Sequence, residues 1–189
     1  MRHRGNYARC RVCESQQING TTIRLLKGDF TQLDVDGFVL YAQPDLALGT
    51  GVGTAISIRG GPSIQQTLED LGPVATGKAV ISTARNLPAK YIVHAVGPRF
   101  QEENAQAKLR ATILSAFDQA ADNGIERIAF PAMGAGYYGI EPDICAEVMF
   151  STIKDYLGNQ TKIKEVTICV LDTRQHKAFE AQLTRSPRR

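Results

Sequence analysis

Six of the 17 glycines fall in two short windows: Gly49, Gly51 and Gly53, then Gly134, Gly136 and Gly139. Each window follows an apolar strand-like run and leads into a helical one. A chain that turns from strand to helix through a glycine loop twice is built on an α/β plan. The remaining signals agree. Short apolar or β-branched runs at 22–27 (TIRLLK), 35–42 (VDGFVLYA), 78–83, 91–96, 127–130 and 166–171 (VTICVL) predict strands. Helices are predicted over 54–59, over 64–71 with Ser63 as cap, over 102–123, from Pro142 to a stop at Gly158, and over 175–183. Leu109, Ile113, Ala116, Phe117 and Ala120 share one face of the longest helix. Some neighbouring strands lack a crossover helix between them, so the sheet should be mixed. The predicted fold is a three-layer α/β/α sandwich around a central mixed sheet.

Composition narrows the options further. With 189 residues, 43% of them hydrophobic, the chain suits one globular domain with a sizeable core. No apolar run approaches the roughly 20 residues of a membrane span, and no apolar segment follows the arginines near the start. The net charge of +3 resides at the ends. Residues 1–20 hold four Arg and one Glu, residues 185–189 hold three Arg, and the middle holds 15 Lys+Arg against 18 Asp+Glu. The expected organisation is a basic, flexible tail over 1–20, a mildly acidic domain over 21–184 and a basic tail over 185–189. Cys10 and Cys13 form a lone C-x-x-C, and with only His3 nearby a structural zinc site there is missing a ligand. Cys145 and Cys169 lie in apolar runs and read as core thiols. With no disulfide framework, a reducing cytoplasm is the expected location, and no cofactor, metal or membrane partner is called for.

The glycine windows are where chemistry is expected. Open α/β sheets bind ligands beyond the carboxyl ends of their strands. Glycine lets backbone N–H groups approach an anion, and the next helix adds a favourable dipole. Two such loops can hold the two ends of a diphosphate. The second window is a literal G-x-G-x-x-G, but it follows a late strand and lacks an acidic residue about 20 positions on at a strand end, so a nicotinamide dehydrogenase is disfavoured.

Read together, these segments resemble the macro domain family of ADP-ribose-binding modules, over about residues 22–184. Gly28-Asp29-Phe30-Thr31 is similar to the family's G-D-I-T, and Val35-Asp36-Gly37-Phe38-Val39 to its V-D-A-I-V strand. Gly49-Thr50-Gly51-Val52 resembles the first phosphate loop. The run Leu87-Pro88-Ala89-Lys90-Tyr91-Ile92-Val93-His94-Ala95-Val96-Gly97-Pro98 is close to L-P-A-K-Y-V-I-H-T-V-G-P. Phe130 to Gly139 resembles the second phosphate loop. The resemblance implies that Asp29 accepts from an adenine amino group beside the Phe30 N–H. Thr50, Gly51, Val52 and Gly53 serve one phosphate, and Met133, Gly134, Ala135, Gly136 and Tyr137 belong to the loop on the other side. Tyr138 packs on the distal ribose, and Leu171 and Asp172 flank the base.

Two family features are missing. The N-A-A-N motif reads here as Tyr41-Ala42-Gln43-Pro44, so its second Asn falls on a proline. The acidic residue that hydrolytic members carry after the first loop is replaced by Gly53. Hydrolysis needs a base or an ordering group within reach of the attacking water, and neither loop offers one. His94, on an apolar strand, reads as a core group. The leading expectation is therefore a binding module for free or protein-linked ADP-ribose or a related adenine nucleotide. The alternative is an ADP-ribosyl hydrolase or O-acetyl-ADP-ribose deacylase acting by substrate-assisted water attack. A further alternative is nucleic-acid binding through the basic tails.

Overall fold

The computed structural model of the chain describes residues 11–49, 51–99, 101–136 and 138–185. Seven strands make one sheet: β1 (Arg11–Ile18), β2 (Thr21–Lys27), β3 (Gly37–Ala42), β4 (Lys78–Thr83), β5 (Tyr91–Val96), β6 (Arg127–Pro131) and β7 (Glu165–Val170). They lie in the order β1-β2-β7-β6-β3-β5-β4. The two outer pairs, β1 with β2 and β4 with β5, are antiparallel, and the pairs between them are parallel. Five helices are α1 (Val52–Gly60), α2 (Ser63–Leu71), α3 (Ala105–Asp122), α4 (Pro142–Leu157) and α5 (Thr173–Thr184).

The inner strands are almost wholly apolar because both their faces are covered. Alternation along β3 shows the division. Val39 points to the core under α3, α4 and α5, whereas Phe38 and Leu40 join Ile56, Ile64 and Leu68 of α1 and α2 on the other face. The expected stripe on α3 is completely buried. The three-layer sandwich is thus the observed architecture.

Residues 11–20 depart from expectation. Residues 11–18 are not tail but the edge strand β1. The turn that creates it is Asn19-Gly20, with φ of 46° and 84°, the two positive values that a two-residue hairpin turn twisting with its strands requires. Asn19 Nδ2 then ties the turn to the end of α4 by donating to Leu157 O at 2.9 Å. Cys13 falls within β1, and Cys10 lies outside the described residues, as do the arginines at 188 and 189.

Two helix starts also differ. Pro62 already has helical angles and takes the cap position of α2, so Ser63 is its first residue and caps nothing. The helix α3 begins at Ala105, after Asn104 at a left-handed φ of 57°. Glu102 stays in the preceding loop, its carboxylate accepting from Arg99 N at 2.8 Å and Lys108 Nζ at 2.6 Å.

Candidate functional site

The strands β3 and β6 pair only at Gly37–Ile128 and Phe38–Ala129. Beyond that point they part, because their chains leave in opposite directions. The strand β3 leads toward α1 on one face of the sheet and β6 leads toward α4 on the other. A cavity of about 530 Å³ opens at this divergence. It is a topological switch point, the place where such sheets hold ligands.

The structure brings most of the expected site residues into the cavity wall: Phe30, Gly51, Val52, Gly53, Gly134, Ala135, Gly136, Tyr138, Leu171 and Asp172. Thr50 and Tyr137 lie outside the described residues. Asp29 and Met133 are not in the wall.

The first loop ends at Gly51, whose φ of 68° and ψ of −118° suit glycine. It occupies the cap position of α1, where a glycine has no side chain to bond the first turn. Gly53, in that first turn, lies so close to Leu48 O that a Cβ would not fit. This glycine is therefore set by packing as well as by what it replaces in the family pattern. The second loop is braced from within and below. Ile140 N donates to Gly134 O at 3.1 Å and Gly139 N to Gly136 O at 3.0 Å. Gly134 has φ of 80°, and a Cβ there would stand 2.5 Å from Ile140 Cδ1. Met133 is the anchor: its N–H meets Met149 Sδ at 3.3 Å, and its carbonyl accepts from Cys145 Sγ at 3.1 Å. Burial pushes the Cys145 thiol up to about 12, so it stays a neutral strut.

Three wall residues carry polar atoms to which the sequence alone assigns no defined role. Tyr41 stands in the wall with its ring 4.4 Å from that of Tyr138 and its hydroxyl donating to Pro98 O at 2.5 Å. Burial raises its phenol well above the usual range. Gln43 lines the cavity and Pro44 does not, so the polar position in this segment is an amide, not the proline. Gln175, on the first turn of α5, accepts from Leu171 N through Oε1 at 3.1 Å. Its Nε2 lies 4.0 Å from where a Cβ on Gly136 would be, facing the second loop.

Charge is scarce here. Among the described residues the wall holds no Lys, Arg or His, and its one carboxylate, Asp172, accepts from Gln175 N at 2.8 Å as the cap of α5. His94 is remote from this chemistry. It is fully buried, shares a 2.8 Å hydrogen bond with Ser82, and is held down at about 4 by burial.

Asp29 is bound up elsewhere. Its Oδ1 accepts from Thr31 N at 3.0 Å and Thr31 Oγ1 at 2.6 Å. Its Oδ2 accepts from Gln32 Nε2 at 2.8 Å and Arg59 Nη1 at 2.6 Å. Partial burial alone would raise its pKa, but the bonds from Thr31, Arg59 and Gln32 reverse that and hold it at about 2.

A family model, the Macro domain, matches residues 42–149, more than half of the chain. Among curated relatives, the O-acetyl-ADP-ribose deacetylase of Escherichia fergusonii is 34% identical over 168 residues, covering 86% of this chain and 95% of that protein. The ADP-ribose glycohydrolase MACROD2 of Xenopus laevis is 36% identical over 165 residues, covering 85% of this chain but 40% of that longer protein. Among solved structures, the macrodomain of Oceanobacillus iheyensis with ADP superposes with a TM-score of 0.86 at 23% identity, over 90% of this chain and 94% of that one. The glycine loops, the switch-point cavity and these likenesses converge, and the chain belongs to the macro domain family.

Proposed function

We propose that this protein is a binding module for ADP-ribose or a related nucleotide, free or attached to protein. The observation that carries the reading is the cavity itself. It lies between a helix N-terminus whose cap residue is Gly51 and a braced glycine loop, with no cationic side chain in its described wall. A diphosphate seated there would be met by backbone N–H groups and the α1 dipole. Tyr138 and Tyr41 would then form the wall beside the distal sugar, with Gln43 as the nearest side-chain amide.

Binding is favoured over hydrolysis by the same wall. Hydrolysis of an ADP-ribosyl bond requires a group that takes up or orders a water proton. Asp172 is the one carboxylate in the described wall, and it is engaged as the cap of α5, accepting from Gln175 N. Gly53 cannot be restored to Asp without displacing Leu48.

The test is calorimetry with ADP-ribose on the full chain and on Gly51→Glu, which puts bulk and negative charge where the first phosphate would sit. Wild-type binding that the variant loses by about 100-fold or more supports the reading. No heat from wild type at millimolar ADP-ribose removes it. A parallel turnover assay on mono-ADP-ribosylated protein should show release no faster than with Gly51→Glu.

A further inference from the structure

Resting on the nucleotide reading of the cavity, we propose that Gln175 is a further binding residue of this site, its side-chain amide donating to a phosphate oxygen of the ligand held at the second glycine loop. Burial carries the first step. Gln175 lies in the cavity wall on the first turn of α5 and is only 7% exposed. Buried amides normally have their hydrogen bonds made. Here half of the group is without one. Oε1 accepts from Leu171 N at 3.1 Å, whereas Nε2 has no partner among the described residues.

Orientation carries the second step. An amide can exchange its oxygen and nitrogen by a half-turn only where both settings find partners. The Leu171 N–H forbids that turn, because it would then face a second donor. Gln175 N also donates to Asp172 Oδ1 at 2.8 Å, which fixes the backbone that carries the side chain. The wall thus presents an N–H₂ group at a set place, and only an acceptor can answer it. Gln43 is the contrast. Its Nε2 stands 3.8 Å from where a Cβ on Gly49 would be, but no bond holds its amide among the described residues.

Placement identifies the acceptor. Nε2 is the atom that a Cβ on Gly136 would meet, at 4.0 Å. Because Gly136 has no side chain, the space between the second loop and the amide stays open. An anion seated on that loop is the group within its reach. An ionised phosphate oxygen accepts and does not donate, which matches a position that offers donors alone. The bond would be charge-assisted although the amide is neutral, and so strong for a wall without Lys or Arg.

The experiment is calorimetry of the full chain with ADP-ribose, on wild type, Gln175→Met and Gln175→Glu. Met fills the space and removes the donor. Glu keeps an oxygen for the Leu171 N–H and puts an ionised oxygen where the N–H₂ group stood. Affinity should fall about tenfold in Gln175→Met and about 100-fold or more in Gln175→Glu. A residue that only supported the start of α5 would give the reverse order, since Glu preserves the bond to Leu171 and Met does not. A ligand hydroxyl at this place would also favour Glu over Met, because a hydroxyl can donate to the carboxylate. Thermal melting confirms that each variant is folded. Binding by Gln175→Glu as tight as by Gln175→Met or tighter, or binding by Gln175→Met within about threefold of wild type, would overturn the proposal and leave the nucleotide reading standing. Absence of wild-type binding at millimolar ADP-ribose overturns that reading, and this proposal with it.

Discussion

The two glycine loops do the same geometric job by different means. The first is open: a Cβ on Gly51 would meet nothing within 4 Å, and the loop ends on a helix terminus without a side-chain cap. The second is folded back on itself, with Gly134 pressed against Ile140 and Met133 clamped by Met149 and Cys145 of α4. One loop is shaped by the helix it runs into, the other by the side chains packed beneath it. Substitutions in the first should therefore register mainly in ligand binding, and those in the second mainly in stability.

The largest effect is expected from Gly134→Val. It combines a β-branched residue at φ of 80° with a clash against Ile140, and should cost about 3–5 kcal/mol in urea unfolding. A loss below about 1 kcal/mol would erase the contrast between the loops. Acid supplies a perturbation remote from both. His94 is buried and neutral, with a folded pKa of about 4 against 6.5 in the unfolded chain. The unfolded state thus binds more protons between those values, and stability should fall by about 3 kcal/mol as pH drops from 6.5 to 4. The part of that slope between pH 6.5 and 5 should flatten in His94→Gln, as measured by urea titrations at each pH. If the slope survives, another group is responsible.

Gly51→Ala comes next. Its backbone angles strain any side chain, at about 1–3 kcal/mol, yet no atom is displaced. Its melting temperature should drop less than that of Gly134→Val, while ADP-ribose affinity falls in proportion as the loop relaxes. Cys145→Ala should be the mildest, about 1–2 kcal/mol for the lost bond to Met133 and a small void. If it weakens ligand binding more than Gly51→Ala does, the brace is tuning the site rather than the fold.

Much of this was legible from residues alone, for a physical reason. Glycine loops, β-branched runs and the α3 stripe are local signals, and the strands at 78–83 and 91–96 appear with the predicted bounds. The edge strand β1 was legible too, in Asn19-Gly20, but the surrounding arginines made the segment read as tail. What no local pattern could convey is the fate of Asp29. Three of its bonds are local, from Thr31 and Gln32, but the fourth comes from Arg59, 30 residues away on α1, which reaches it only once the helix packs against the sheet. Gln175 was hidden similarly, since its amide is oriented by the Leu171 backbone. The displacement of Pro44 by Gln43 at the wall depends on where β3 ends.

The divergence of β3 and β6 has one more consequence. The first loop leads into the α1–α2 layer and the second into the layer of α3, α4 and α5, with the sheet between them. A diphosphate held by both loops would act as a cross-tie between the layers. Amide hydrogen exchange should then slow on both sides of the sheet together when ligand binds, in the first turn of α1 and in the loop ahead of α4.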